Sequence, residues 1–300
     1  MIEKKKLRLF DVVNVVLLLV ITMIILYPLY FTFIASFSEP YDVIEGNVKL
    51  WIKGFTIDSY EQVFRNKDIW MGYKNSLIYT VAGTVFSLFL TIPAAYALSK
   101  ASLWKKGIII TYFVITMYFS GGLLPTYLLV RDIGLLDKSY TLIILGSFSV
   151  YNMVVARTYF QTSIPDTLYE AASIEGCSQF GQFFYIGIPL AKPIIAVISL
   201  YYAVGRWNDF YNCLVYVNSK KYDSLQMILR NILLESQTAL ASVNSKLMTA
   251  EQIAYHVRRA YLAEAMKYSV IIIASLPMLI MYPFVQKYFV KGVMIGSVKG

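Results

Sequence analysis

Residues 161–189 read QTSIPDTLYEAASIEGCSQFGQFFYIGIP and lie between one apolar run that ends at Phe160 and another that begins at Leu190. The segment therefore works at a membrane surface. Ser163 followed three residues later by Asp166 is a capping pattern, with Pro165 in the first turn, where a missing N–H costs nothing. The spacing predicts a helix through Leu168, Tyr169, Ala171, Ala172 and Ile174, closed by Gly176 in the left-handed conformation. Ser178 then caps a second helix carrying Phe180, Phe183 and Phe184, and Pro189 opens the next span. The product is a short helix-turn-helix with small Ala171 and Ala172 on a surface, one acid at Glu170 and a hinge at Gly176. Small side chains let another backbone come close, and Glu170 offers a carboxylate to a partner's Arg.

Composition sets the class. The 300 residues are 58% hydrophobic and 15% charged, with mean hydropathy +0.58, whereas a soluble domain carries about 25% charged residues. This is the profile of an integral membrane protein. The net charge of +9 sits beside the apolar spans and forms no stripe with interleaved stacking aromatics, which argues for a membrane surface and against nucleic acid. Cys177 and Cys213 fall on opposite sides of the membrane and cannot pair. His256 has no Cys/His cluster around it, so no metal site is expected. No GxxxxGK[ST] occurs, and Gly292 to Lys299 lacks the spacing of a phosphate cradle. If ATP and Mg drive the protein, they are held by a separate subunit, and this chain binds no cofactor.

Taken in order, Lys4, Lys5, Lys6 and Arg8 precede an apolar run from Val12 to Tyr30. That run is too long for a signal peptide and reads as an uncleaved first span. Residues 36–71 form a polar outer loop with Trp51 and Trp70 suited to an interfacial belt. The second span covers Leu77 to Leu98 and ends in a short basic loop, Ser99 to Gly107, which is cytoplasmic by the positive-inside rule. The third, Ile108 to Val130, is interrupted by Ser120-Gly121-Gly122 and Pro125; a break at membrane depth is tolerated only against protein or water. The fourth covers Tyr140 to Phe160 and the fifth Leu190 to Val204. Residues 205–266 form a long extracytoplasmic loop containing an amphipathic helix at Leu225, Ile228, Leu229, Ile232 and Leu233, and a capping box at Thr249 and Gln252. The sixth runs from Tyr268 to Tyr288 and leaves Lys287, Lys291 and Lys299 on a cytoplasmic tail. The expected fold is all-α, a single membrane domain over residues 1–300 with six transmembrane helices and both termini cytoplasmic.

Glu170-Ala171-Ala172, three residues, Gly176, nine residues, Ile186, one residue, then Ile188-Pro189 resembles the EAA loop of ATP-binding-cassette importer permeases, which have the type I importer fold. Ile188 stands where Leu is usual, and Cys177 where Ala is common. The resemblance implies that Glu170, Ala171, Ala172, Gly176, Ile186 and Pro189 form the element that docks on the ATPase. Ser120 to Tyr127, Trp207-Asn208-Asp209 and the ending Tyr282 to Gly296 are similar to the carbohydrate branch: the maltose permease's second subunit and Gram-positive permeases for oligosaccharide or polysaccharide. That likeness implies a multi-pass protein of the bacterial cell membrane, a heterodimer with a second permease subunit, two ATPase subunits below and an extracytoplasmic sugar-binding protein above.

Sugars are bound by aromatic faces with planar polar side chains beside them, and 16% of the chain is aromatic. The candidate substrate pathway is Tyr151 and Asn152 in the fourth span, with Arg206, Trp207, Asn208, Asp209 and Asn212 outside the fifth. No nucleophile, general base or metal motif appears at membrane depth, so covalent chemistry is not expected. The alternative is a secondary transporter of a sugar-like solute driven by an ion gradient. It needs carboxylates within the membrane or broken repeats in corresponding halves, and the spans hold essentially no acids.

Overall fold

The computed structural model describes residues 9–100, 105–242, 251, 255, 261, 266–283 and 286. The Thr249/Gln252 box, His256, the N-terminal lysines, Lys287, Lys291, Lys299 and most of the Tyr282 to Gly296 ending lie outside the described residues, as do residues 101–104. Among the described residues all regular structure is helical. The elements are α1 (Leu9–Ser36), α2 (Pro40–Ile44), α3 (Asp58–Arg65), α4 (Lys67–Ser99), α5 (Lys106–Tyr118), α6 (Leu123–Asp132), α7 (Thr141–Ile144), α8 (Val150–Thr162) and α9 (Asp166–Ile174). They continue with α10 (Gln179–Leu190), α11 (Lys192–Trp207), α12 (Tyr211–Tyr216), α13 (Leu225–Ser242) and α14 (Met266–Pro283). The chain divides into two compact units, Met1–Lys67 with Leu229–Ser275 and Asp68–Ile228 with Leu276–Gly300.

In the first unit, Ile34, Ala35, Val43 and Val48 form a buried cluster with Phe31 and Tyr268 packed against it. The segment expected to be a polar outer loop contains α2 and α3 and is tied back to α1. The Tyr30 hydroxyl donates to the Leu50 carbonyl at 2.6 Å, and Phe37 stacks on Phe55. Trp70, assigned to that loop from sequence, instead lies in α4.

The second unit is built on α4, whose 33 residues exceed the ~20 needed to cross the hydrocarbon core. Gly72, Ser76, Thr80, Gly83, Ser87, Thr91 and Ala95 recur every third or fourth residue along it, and all are buried. Such a stripe lets neighbouring elements approach the helix backbone, as small residues do at helix interfaces in membranes. Gly72 receives the start of α13: a Cβ there would lie 2.4 Å from Ile228 Cδ1 and 3.2 Å from the Leu225 backbone. One turn on, Ser76 Oγ accepts the Leu225 N–H at 2.8 Å. The amphipathic α13 appears where the periodicity places it, with Leu225, Ile228, Leu229 and Ile232 buried.

The expected third and fourth spans are broken, and the fifth begins after a bend. Between α5 and α6 the axis turns by 109°, at the Ser120-Gly121-Gly122 break read from sequence, with Gly122 at φ +86°. The expected fourth span is not one helix. It divides into α7 and α8 around Gly146 at φ +69°, because the run Gly146-Ser147-Phe148-Ser149 favours local side-chain hydrogen bonds over the helical ladder. Ser149 caps α8 by accepting the Asn152 N–H at 3.3 Å. The fifth also differs. A π-helical turn over Gln182–Gly187 carries α10 through Pro189 to Leu190, and α11 starts at Lys192 after a 77° bend. The first-turn proline of α11 is thus Pro193, not Pro189. Three described helices are long and apolar enough to cross a membrane, or up to five if each bent pair counts as one.

Ser76→Ala leaves the buried Leu225 N–H without its acceptor, which costs about 1–3 kcal/mol. A lower midpoint of thermal unfolding in detergent, with unchanged helix content, is the expected result.

Candidate functional site

The loop between α8 and α10 is closely braced. Ser163 is the C-cap of α8, and Pro165, in extended conformation, is the N-cap of α9; no side chain caps α9. The predicted Ser163 cap is therefore not made. Proline disfavours a helical conformation in the residue before it, so the helix starts after Pro165, with Asp166 in the first turn where a negative charge meets the positive end of the helix dipole. At the other end Gly176 has φ +79°. Its N–H bonds to the Ser173 carbonyl at 3.1 Å, and the Cys177 N–H to the Ala172 carbonyl at 2.8 Å. These two bonds are a Schellman closure, as the glycine predicted. Ser178 Oγ accepts the Gly181 N–H at 3.2 Å and starts α10. Gln182, 2% exposed, donates from Nε2 to Ser173 Oγ at 2.8 Å and holds the two helices at a set angle.

Tyr169 is the only α9 side chain that is buried. Glu170 and Ala171 face outward, Ala172 is half-buried, and Pro189 is exposed. Ile186 packs against the buried cluster of the unit instead, apart from the outward face to which sequence assigned it. Ile174, Phe180 and Tyr185 are 88%, 80% and 80% exposed. Ile174 lies one turn from Glu170 on α9, and the exposed apolar side chains of this segment are ones that sequence reading passed over, although large apolar residues outside the spans were their signal.

A second feature lies where α11 passes the break between α7 and α8. A cavity of about 330 Å³ is lined by Leu145, Gly146, Tyr202, Gly205, Arg206, Asp209 and Asn212. Arg206 donates to the Leu142 carbonyl at 2.6 Å, to Ser147 Oγ at 3.1 Å and to Ser87 Oγ at 3.3 Å. Its guanidinium rests on Gly83, where a Cβ would come within 2.4 Å. One turn earlier, the Tyr202 hydroxyl bonds Thr91 Oγ1 at 2.7 Å and accepts the Ser149 N–H at 3.0 Å. Two rungs, Ser87–Arg206 and Thr91–Tyr202, thus satisfy polar groups left without helical partners between α7 and α8, as buried backbone and hydroxyl groups require. Asp209 accepts the Asn212 N–H at 3.0 Å and its Nδ2 at 2.6 Å.

Of the predicted pathway residues, Arg206, Asp209 and Asn212 come together at this cavity, joined by Tyr202, which sequence did not single out. Trp207 is buried against Tyr73, with ring centroids 5.6 Å apart. Asn208 is exposed and bonds the Val204 carbonyl. Tyr151 is exposed and Asn152 buried, and neither lines the cavity. Among the described residues no group of His, Cys, Asp or Glu could hold a metal ion.

The profile of the binding-protein-dependent transport system inner membrane component family matches residues 69–295, which include both the braced loop and the cavity. The chain belongs to that family. The permease is 37% identical over 293 residues to Protein LplC of Bacillus subtilis (strain 168), covering 98% of this chain and 96% of the relative. It is 36% identical to the polygalacturonan/rhamnogalacturonan transport system permease protein YtcP of the same organism, with 98% and 99% covered. Its structure matches, at TM-score 0.82 and 32% identity over 94% of this chain and 97% of the other, a chain of a bacterial ABC transporter involved in the import of the acidic polysaccharide alginate. The permease is therefore a membrane component of ATP-binding-cassette transport and not an enzyme.

Nothing lies within 4 Å of a Cβ built on Gly176, so a substitution there is opposed by backbone conformation alone, at about 1–2 kcal/mol per residue forced left-handed. Gly176→Val is expected to abolish transport by the reconstituted permease while its amount in the membrane fraction is unchanged. Gly176→Asn, which tolerates this conformation, should retain most of it.

Proposed function

We propose that this permease is one transmembrane subunit of an ATP-driven importer of oligosaccharide or polysaccharide fragments, with α9 as the coupling helix on a separate ATPase. The observation that carries the proposal is the outward face of α9. A carboxylate at Glu170, small Ala171 and exposed Ile174 stand on a helix braced at its C-terminal end by the Gly176 closure and the Gln182–Ser173 bond, so a force applied there is delivered to its neighbours rather than absorbed. Saccharide as the cargo is supported by the polygalacturonan/rhamnogalacturonan and alginate systems to which the permease is similar.

On this reading the chain crosses the membrane six times with both termini in the cytoplasm. It pairs with a second permease subunit, two ATPase subunits and an extracytoplasmic sugar-binding protein, and the segment 205–266 faces that protein. ATP and Mg are held by the ATPases. Closure of the ATPases moves the loop 161–189 as a lever, the bends beside Gly146 and Ala191 yield, and the cavity at Tyr202, Arg206, Asp209 and Asn212 opens in turn to each side. Hydroxyl-rich solutes suit that cavity, where guanidinium, carboxylate and amide groups offer both donors and acceptors.

Reversing the charge with Glu170→Lys should lower recovery of the ATPase subunits on co-purification severalfold, and unchanged recovery would remove this contact from the account. Uptake in intact cells is expected to continue when an uncoupler collapses the ion gradients, provided ATP is maintained. Loss of uptake under those conditions would favour the ion-driven alternative.

A further inference from the structure

Helix α9 is joined by the chain only to α8 and α10, yet its single buried side chain reaches a third element. Tyr169 packs against Tyr96 on the last turn of α4, with ring centroids 6.0 Å apart. Tyr96 also meets Phe160 of α8 at 5.5 Å and Phe183 of α10 at 4.9 Å. Its ring closes on Gly187, where a Cβ would lie 3.2 Å from it. Lys100, just past the end of α4, folds over this cluster, its ammonium 2.8 Å from the Tyr169 ring centroid and 4.7 Å from that of Tyr96.

Lys100 is not needed to cap α4. The carbonyls of Leu98 and Ser99 are already taken by Arg157 Nε at 3.0 Å and Gln161 Nε2 at 3.2 Å, both from α8. Nor do the tyrosines hold each other by their hydroxyls, since neither phenol oxygen has a hydrogen-bond partner among the described residues. Ring packing and one cation over the electron-rich faces therefore join α9 to α4.

We infer that Lys100 is a positioning residue that clamps the coupling helix to the cytoplasmic end of the second span, so that a displacement of α9 is passed to α4 as well as to α8 and α10. This rests on the reading of α9 as the coupling helix. The consequence is mechanical. α4 carries the small-residue stripe on which Arg206 and Tyr202 are seated, so the clamp gives α9 a direct route to the cavity that avoids the bend at Ala191.

The charge can be tested separately from the packing. Burial pushes the Lys100 ammonium down to about 8, opposed by the Asp166 carboxylate on α9. The clamp is therefore charged at neutral pH and loses its charge above about 8. The other titratable or charged groups around it are Tyr96, Tyr169, Cys177 and Arg157. Burial raises the Tyr169 phenol to about 12, so it stays neutral throughout the range used.

Spin labels on Ala97→Cys and Thr167→Cys, both exposed positions, report the α4–α9 distance in the complete transporter in lipid nanodiscs. Cys177→Ser removes the other accessible thiol, while Cys213 is buried. The expected distance distribution is narrow at pH 7 with Lys100 and with Lys100→Arg, and at least twice as broad with Lys100→Gln. With Lys100 it should broaden between pH 7 and 9.5, with a midpoint near 8; with Lys100→Arg it should not. A distribution that stays narrow in Lys100→Gln at pH 7, or with Lys100 through pH 9.5, would overturn the clamp. Failure of the coupling-helix reading shows elsewhere, as undiminished ATPase recovery with Glu170→Lys, because the label distance requires no docked motor.

Discussion

A polar group taken out of water must find its partner within the protein, and α4 is the element that meets this constraint. Its stripe of glycine, serine and threonine provides room and hydroxyls together. Gly83 admits the Arg206 guanidinium, Ser87 and Thr91 share hydrogen bonds with Arg206 and Tyr202, and Ser76 accepts the first amide of α13. A helix of larger residues would exclude these partners. The Leu142 carbonyl, the Ser147 hydroxyl and the Ser149 amide between α7 and α8 would then each lose a hydrogen bond, a costly loss for groups withdrawn from water. The break is tolerated because α4 and α11 satisfy it, and the cavity lies beside that break.

The same constraint governs the loop between α8 and α10. Three hydrogen-bonded devices, the Schellman closure at Gly176, the Ser178 cap and the Gln182–Ser173 bond, convert a connector into a body of set shape. The loop needs little burial of its own, because only Tyr169 is sunk into the aromatic cluster around Tyr96. What remains outside is an apolar and acidic surface suited to another protein, and the family to which the permease belongs is one whose members act within multi-subunit transport systems. Rigidity at the loop and bends at Gly146 and Ala191 are what the proposed lever requires, since it must be stiffer than the joints it drives.

Much of this was legible in sequence because the signals are local. Glycine at the end of an amphipathic turn, serine before a helix and a double glycine inside an apolar run each act through backbone conformation within a few residues, and Gly176, Ser178 and Gly122 stand as those rules require. Of the expectations that changed, two met a competing local feature and one depended on distant partners. Ser163 met the composition of a cap, but Pro165 shifted the helix start. Pro189 met the composition of a helix opening, but a π turn carried the helix past it. Tyr140 to Phe160 had the length and hydropathy of a straight span, yet hydrogen bonds from α11 made a broken path at Gly146 affordable.

By itself the sequence determined the class of protein, the helical turn after Pro165 and the left-handed glycine that closes it, since hydropathy and turn chemistry depend on neighbouring residues alone. Only the tertiary structure decided which polar residues meet. Arg206, Asp209 and Asn212 share a cavity with Tyr202, while Trp207, adjacent in the chain to Arg206, is turned away against Tyr73. Successive residues on a helix point about 100° apart, so adjacency in sequence separates side chains that the packing of distant helices must bring together.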